Sequence, residues 1–455
     1  MTDTPRTGFV AGRRIPLDAA AVERAVAGLA AVAGTVRATG SFDRAAVLDK
    51  VAMALGEELE SIAWSLAEES GYLSFADMKL ETQRAMEVFQ LAAAYTRVGN
   101  SEMLNVDAVE RARGAVAYIR REPIGPILGI TAYNGPLLIP AHKLAPAIAA
   151  GAPILLKPSP RVPRAAIRLA ELAVRAGWPQ DAVAVLDVDD AGTMALVEDA
   201  RLPMISFTGG AFGWTIKDRV PRKHVHLELG GVGAVFVAAD GNIEAAAREC
   251  AAAGFVRSGQ SCISVQRIYV ESSVYDEFVR RFADHVRPML PGGPAEISSM
   301  VDEAAAGRVM ALIEDALVNG AQLVCGGDLS KSMLAPTVLA GATGAMMVMR
   351  REAFGPVVAV AAVSGAEEAL AEINAVEGAI HHGIYTTDID TAFAMADRIR
   401  AGGVIINGPG TWRVDHMPYG GTGTSGFGRE GIRYAVEEYT RPKVIVVRPA
   451  LQERG

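Results

Sequence analysis

An α/β fold with two parallel-sheet lobes is predicted by three features of this 455-residue chain. From Ile127 onward, short apolar runs alternate with amphipathic helical runs, which implies crossover connections and parallel strands. The same alternation resumes after Ser258. The chain also carries 47 glycines with only 6% aromatic residues, as expected where many tight turns join strands to helices.

The elements read in order as follows. Residues 17–35 place Leu17, Ala21, Ala25, Leu29 and Val32 on one helical stripe. A second helical pattern runs from about Phe42 to Glu69, with Asp43 to cap it and Gly71 after its end. A third covers about Asp77 to Val98. Ala115–Arg120 alternates like a strand. Then follow the strand ILGITAY, the helix PAHKLAPAIAAG, the strand APILLKPS, a helix from Pro163 and the strand AVAVLDV. Strands at Leu202–Thr208 and Val232–Val237 continue the first lobe and open the second. Beyond Ser258 come a strand at Ser264–Val270, helices near 274–286 and 304–319, and the strand AQLVCGG. A helix at 391–401 and strands at 403–407 and 443–448 complete the reading. The lobes meet near residue 230, and strand-like pieces at 106–122 and 433–449 are left over.

Lys+Arg 44 against Asp+Glu 52 gives a formal charge of −8 with no basic block, which argues against nucleic acid or an anionic membrane as partner. Three cysteines, Cys250, Cys262 and Cys325, are too few for a disulfide framework and fit a reducing cytoplasm. The start lacks the apolar segment of a signal peptide, and no uninterrupted run of eighteen apolar residues exists, so no membrane span is expected.

Four places carry candidate chemistry. Cys262 follows Gly259–Gln260–Ser261 on a tight turn and is either a reactive thiolate or an inert thiol; the inert reading suits Cys250 and Cys325 better. Glu228, at the end of the strand HVHLE before Gly230–Gly231, is a general base or an acceptor for glycine N–H groups. Asn134 sits where a strand ends before Gly135–Pro136, so its amide is an oxyanion donor or a plain turn residue. The turn Phe207–Gly213 joins a strand to a helix, where glycines let backbone approach a pyrophosphate. Lys157, at another strand end, is a ribose or phosphate contact or a solvated lysine. His224–Val225–His226 puts two imidazoles on one strand face, but no third ligand follows, and His381–His382 has none either. No metal is expected.

Taken together in order, Asn134, Lys157, the FTGG turn, LELGG, GQSC, REAFGPV and PYGGTGTSGFGREG resemble the aldehyde dehydrogenase superfamily, from about residue 17 to 449. The resemblance implies two Rossmann-like lobes with a small protruding β oligomerisation element. Residues 1–105 and 123–230 would form the dinucleotide-binding domain, 231–432 the catalytic domain, and 106–122 with 433–455 the oligomerisation element. It implies Cys262 as nucleophile, Asn134 with the Cys262 backbone N–H as oxyanion donors, and Glu228 as base. Thr131, Lys157, Gly209, Gly210, Gly213, Glu352 and Phe354 would bind NAD or NADP. The product would be a carboxylic acid, released from a cysteine thioester by water.

Three positions depart from the family pattern. Pro160 stands where many members have a glutamate for the adenosine ribose, which leaves NAD against NADP open, with Arg161 beside it able to welcome a phosphate. Gly210 replaces the usual serine of the pyrophosphate turn. The N-terminus is short and is expected to lack the leading strands common in the family.

The run from Trp412 to Tyr419 resembles the branch acting on small hydroxy-, phospho- or phosphonoaldehydes. Arg413 there, and Arg84 in the third helix, are candidate cations for an anionic substrate, against a surface salt bridge for each. Tyr133 and Ser261 are further candidate substrate contacts, with Trp412 and Tyr419 able to line the pocket or simply pack. Ser261 and Gly135 stand where phosphonate-specific members carry extra cations, so a small or singly charged aldehyde fits as well. Two competing functions are a coenzyme-A-acylating dehydrogenase, which usually lacks the base that Glu228 supplies, and a non-catalytic binding protein with this fold. The open strand edges imply a homodimer or homotetramer.

Overall fold

The computed structural model describes residues 6–99, 101–293, 295 and 297–449; residues 1–5, 100, 294, 296 and 450–455 of the expected domains lie outside them. Among the described residues, three larger sheets and a two-stranded hairpin organise the chain. In the first, five parallel strands stand side by side in the order 224–228, 204–208, 127–130, 154–157, 183–186. The chain runs outward from 127–130 in one direction and then in the other. Its switch point therefore lies between 127–130 and 204–208, where open α/β sheets bind ligands.

Each parallel strand is buried on both faces, with helices such as Leu138–Ala150 and Pro163–Arg175 packed against the sheet. The second sheet places six parallel strands as 337–340, 357–363, 265–271, 233–237, 381–385, 403–406, with 322–325 antiparallel at one edge. Its core is a separate apolar cluster around Phe236, Leu339, Ala359 and Ile384.

Several sequence expectations need correction. The leading strands are present: Thr7–Val10 and Arg13–Pro16 form a hairpin that pairs antiparallel with 183–186. They escaped notice because each is only four residues long, too short for a period-2 pattern to register. The long helix from Phe42 to Glu69 is two helices, Ser41–Glu57 and Leu59–Ser70, broken where Glu58 leaves helical geometry. Asp43 lies in the first turn of the former and does not cap it, whereas Gly71 ends the latter at φ 69° as expected of a glycine stop. The third helix starts at Phe75, earlier than expected, because Ser74 and Asp77 cap each other reciprocally.

Among the described residues one helix, Ala19–Ala38, is long and apolar enough to cross a membrane; its Ala25, Val26 and Leu29 are buried in a core shared with the first sheet. The third sheet pairs Glu102–Leu104, Val116–Pro123 and Thr440–Val447 antiparallel. It leaves Val116, Tyr118, Val444, Val446 and Val447 exposed. The segment after Gly420 also returns to the first lobe: Gly426–Phe427 pairs with 224–228, and Ile432, Val436 and Tyr439 join the first core.

Candidate active site

Cys262 owes its position to a backbone bent against its preference. Arg257 (φ 50°), Ser258 (φ 57°) and Gly259 (φ 69°) are three successive left-handed residues, two of them not glycine. Each non-glycine in that region costs about 1–2 kcal/mol, so the surroundings must enforce it. They do so by hydrogen bonds from every side. The Ser258 hydroxyl donates to the Ser298 carbonyl, and Gln260 accepts from the Val301 N–H at 2.8 Å while its amide donates to the Arg257 carbonyl at 3.1 Å. A Cβ at Gly259 would strike the Gly355 carbonyl at 2.2 Å, so no other residue fits that turn.

The same turn locks the Asn134 loop. Arg257 donates to the Asn134 carbonyl at 2.6 Å and pairs with the fully buried Glu81 at 2.8 Å. The other Glu81 oxygen accepts the Leu137 and Leu138 N–H groups at 2.7 and 2.9 Å, at the start of the helix Leu138–Ala150. The Asn134 side-chain amide donates to the Gln260 carbonyl at 3.1 Å. That bond uses one of two amide protons and fixes the plane in which the second is offered.

Around these turns lies a cavity of about 310 Å³. It is lined by Cys262, Asn134, Glu228, Gly209, Gly210, Glu352, Phe354, Tyr133, Ser261, Arg84 and Arg413 among others. Eleven of the fourteen candidate site residues are therefore gathered at one place. Thr131, Lys157 and Gly213 do not line it. Thr131 and Lys157 lie at the carboxyl ends of adjacent strands of the first sheet, where the Thr131 N–H donates to the Lys157 carbonyl at 3.0 Å. Gly213 is a packing glycine: a Cβ there would meet Leu229 and Phe207 at 2.6 and 2.9 Å.

Burial sets the acid–base character of the site. The Cys262 thiol is pushed up to about 12 chiefly by burial; a hydrogen bond with the Tyr419 hydroxyl at 2.8 Å opposes this, and the charges of Glu352 and Glu228 add to it. Burial and then the charge of Glu430 raise the Glu228 carboxyl well above the usual range, against Lys143, Arg429 and Arg413. Burial likewise lifts Glu352 to about 7, although it accepts the Gly231 N–H at 3.1 Å. A carboxyl with a raised pKa in a cleft is the character a general base needs near neutral pH.

A second cluster opens on the cavity. Asp415 accepts a two-pronged bond from Arg84 at 3.1 and 2.6 Å, and His142 and Arg413 each approach it at 3.1 Å. Burial alone would raise this carboxyl, but its bonds to His142 and Arg84 hold it well below the usual range. The Arg413 guanidinium lies 4.0 Å from the Tyr419 ring centroid, and its Nε is buried without a partner. Within this cluster two guanidiniums stand against one carboxylate. Both arginines thus belong to an internal cluster and neither is a plain surface ion pair.

For a dinucleotide, the residues fit with two gaps. The Thr208 hydroxyl is buried without a partner just before the Gly209–Gly210 turn, and a Cβ at Gly210 would meet nothing within 4 Å, so backbone there faces open space. Phe354 holds a left-handed backbone (φ 47°) and meets Tyr133 edge-on at 6.0 Å. Pro160 offers no acceptor for ribose hydroxyls. Arg161 pairs with Asp302, the residue that caps the helix Glu303–Val318, so a phosphate there would compete with that half-exposed ion pair.

The buried histidines near the site have partners within the fold. His381 bonds the Gly410 carbonyl and His382 accepts the Ala234 N–H, each at 3.0 Å, while His226 faces Glu228. Sequence reasoning missed Glu81, Arg257, His142, Lys143, Asp415 and Glu430. One signal was available: His142–Lys143 interrupts a helix that is otherwise almost wholly apolar, and a charge there demands a buried partner.

Known proteins resemble this chain along most of its length. The model of the aldehyde dehydrogenase family matches residues 3–445. Aspartate-semialdehyde dehydrogenase 1 of Pseudomonas canavaninivorans is 36% identical over 407 residues, covering 88% of this chain and 86% of that protein. The 3-sulfolactaldehyde dehydrogenase of Priestia aryabhattai is 35% identical over 412 residues, covering 89% and 86%. Among solved structures, aldehyde dehydrogenase 21 of Physcomitrella patens, in complex with its reaction product succinate, superposes with a TM-score of 0.93 at 32% identity, covering 98% of this chain and 99% of that one.

Proposed function

The chain belongs to the aldehyde dehydrogenase family, and from that premise we propose that it oxidises a small, singly charged anionic aldehyde to the carboxylic acid through a thioester on Cys262. It is an NAD(P)-dependent aldehyde dehydrogenase. The observation that carries the reading is the meeting of Cys262, Asn134, Glu228 and Glu352 around one cavity.

Each residue then has a task that its surroundings suit. Cys262 Sγ attacks the aldehyde carbon as the thiolate, its proton having left to solvent, and the second Asn134 amide proton is offered to the oxygen that gains charge. Gly209, Gly210, Glu352 and Phe354 line the cofactor's side of the cavity, with Thr131, Lys157 and Gly213 supporting the adenosine end and the helix start. The nicotinamide, when bound, accepts the hydride released from the substrate carbon. Glu228 takes a proton from water as the water oxygen bonds to the thioester carbon, and the C–S bond then breaks to return Cys262 as thiolate.

Substrate class follows from Arg413 and Arg84. Both arginines line the cavity, and Asp415 holds both guanidiniums in place. Tyr133 and Ser261 complete the wall with neutral groups. One strong anion site suits a carboxylate or sulfonate better than a doubly charged phosphonate. The substrates named by the relatives, aspartate semialdehyde and 3-sulfolactaldehyde, are of this kind. Retention of Glu228 favours hydrolysis over release to coenzyme A.

The exposed apolar strands 116–123 and 440–447 support pairing with a second copy, as a dimer or dimer of dimers. The free thiols of Cys250, Cys262 and Cys325 suit a reducing cytoplasm.

The test is a panel of small aldehydes, neutral and anionic, assayed with NAD and with NADP for cofactor reduction and acid release. Carboxylate- or sulfonate-bearing aldehydes should exceed neutral ones of equal length by roughly tenfold or more in kcat/KM, the worth of a charged hydrogen bond. Equal rates would remove the anionic assignment, and no reduction with any aldehyde would remove the function.

A further inference from the structure

His226 is the residue of this molecule that the reaction as described leaves unused. Residues i and i+2 of a strand share a face, so His226 and Glu228 project together from the strand His224–Glu228 into the interior. His226 is fully buried and its Nε2 lies 3.0 Å from Glu228 Oε1, while Glu228 Oε2 has no partner. On the far side of the ring, Nδ1 lies 3.4 Å from the Ser206 hydroxyl, which itself lies 2.9 Å from Lys143 Nζ.

Two glycines make the room. A Cβ at Gly428 (φ 91°) would meet the imidazole Cδ2 at 2.6 Å, and one at Gly420 would meet Glu228 Oε1 at 2.7 Å. The C-terminal glycine turn is thus shaped around this pair.

The network also assigns the ring proton. An ionised Glu228 oxygen can only accept, so the ring nitrogen 3.0 Å from it must be the donor. Nε2 therefore carries the hydrogen and donates to Glu228 Oε1. Burial, foremost, holds the imidazole down to about 4, so it is neutral at pH 7. Other charged groups acting on the pair are Lys143, Glu430, Glu438, Arg429 and Arg413. Lys143 and Glu430 lie 3.5 Å apart and largely offset each other.

We propose that His226 is a positioning residue for thioester hydrolysis: its Nε2–H holds Glu228 Oε1 and leaves Oε2, which no protein group engages, to take the proton from water. This rests on reading Glu228 as the base. The water O–H bond breaks toward Oε2 while its oxygen bonds to the thioester carbon. No proton passes to the imidazole. A donor to the carboxylate also favours its ionised form, so His226 keeps Glu228 ionised to lower pH than its burial alone would allow.

The test separates the two faces of the ring. Gln places an N–H near the Nε2 position, Asn near Nδ1, and Leu supplies neither. Rapid mixing of enzyme, aldehyde and oxidised cofactor reads the first burst of reduced cofactor apart from steady turnover. For His226→Asn and His226→Leu, the burst should remain at the parent rate while turnover falls about tenfold or more, with the acidic limb of the kcat profile moved to higher pH. His226→Gln should stay within about threefold of the parent, since it retains the donor.

Unchanged turnover and pH profile in His226→Asn would overturn the inference. So would a Gln variant as slow as Leu, or loss of the burst together with turnover. Glu228→Gln run beside them should keep the burst and stop turnover. If instead it turns over normally, the base assignment itself has failed; if it stops and His226→Asn does not slow, only the role of His226 has.

Discussion

The Tyr419 hydroxyl lies 2.8 Å from Cys262 Sγ, and the same phenol ring carries the Arg413 guanidinium 4.0 Å from its centroid. The proposed nucleophile and the proposed anion-binding cation are thus tied through one side chain, and Asp415 ties that cation in turn to Arg84. An anionic group held by Arg413 is thereby referred to the sulfur through a short, buried chain of contacts. Effective positioning of that kind accounts for a large part of catalysis in a small pocket.

Reactivity of Cys262 is the first expectation. With burial pushing the thiol to about 12, alkylation by iodoacetamide should be slow at pH 7 and rise about tenfold per pH unit, following the thiolate fraction. Tyr419→Phe removes the hydrogen bond that opposes burial, so its thiol should lie higher and alkylate several-fold more slowly at any pH below 9. Mass spectrometry of the peptide containing Cys262 gives both rates. An equal or faster rate in Tyr419→Phe would remove the hydrogen bond from the account.

Charge selectivity is the second. Arg413→Gln should raise KM for an anionic aldehyde by roughly ten- to a hundredfold, equivalent to about 1.5–3 kcal/mol for a hydrogen bond to a charged group. A neutral aldehyde of the same length should be nearly unaffected. Parallel loss for both substrates would mean that Arg413 only supports the fold.

The Glu81–Arg257 pair supplies a third. Glu81→Ala leaves Arg257 without its carboxylate and the Leu137 and Leu138 N–H groups without an acceptor. About 3–5 kcal/mol of stability should be lost, seen as a fall in Tm. In the fraction that stays folded, kcat should fall more than KM rises, because Asn134 loses its anchor. A Tm within a degree of the parent would show that the pair contributes little.

Assembly is the fourth. Val446 is exposed on the outer strand Thr440–Val447, so Val446→Lys puts a charge where a second copy would pair. Size-exclusion chromatography with light scattering should give a dimer or tetramer for the parent and a smaller species for the variant. A parent that is monomeric at micromolar concentration contradicts the pairing.

The sequence carried the fold well because alternation of strand and helix is a repeated, local signal. It carried Cys262, Glu228, Asn134 and Glu352 because each lies in a short motif with fixed neighbours. What stayed hidden depended on contacts distant in sequence. Glu81 and Arg257 are 176 positions apart by their numbers, and nothing local marks either as buried. Arg84 and Asp415 meet across a still longer separation, and the period of the helix carrying Arg84 does not show which face opens on the cavity. His226 is set aside in the sequence as one of two imidazoles lacking a third metal ligand, because Glu228 two residues on is weighed separately from it. The break at Glu58 was invisible because its flanks are both strongly helical.

Trapping the thioester tests the central claim most directly. Glu228→Gln, mixed with a small anionic aldehyde and oxidised cofactor, should release one reduced cofactor per active site and then stop. The peptide holding Cys262 should gain the mass of the acyl group. No burst, or an acyl group found on another residue, would contradict a reaction that passes through Cys262.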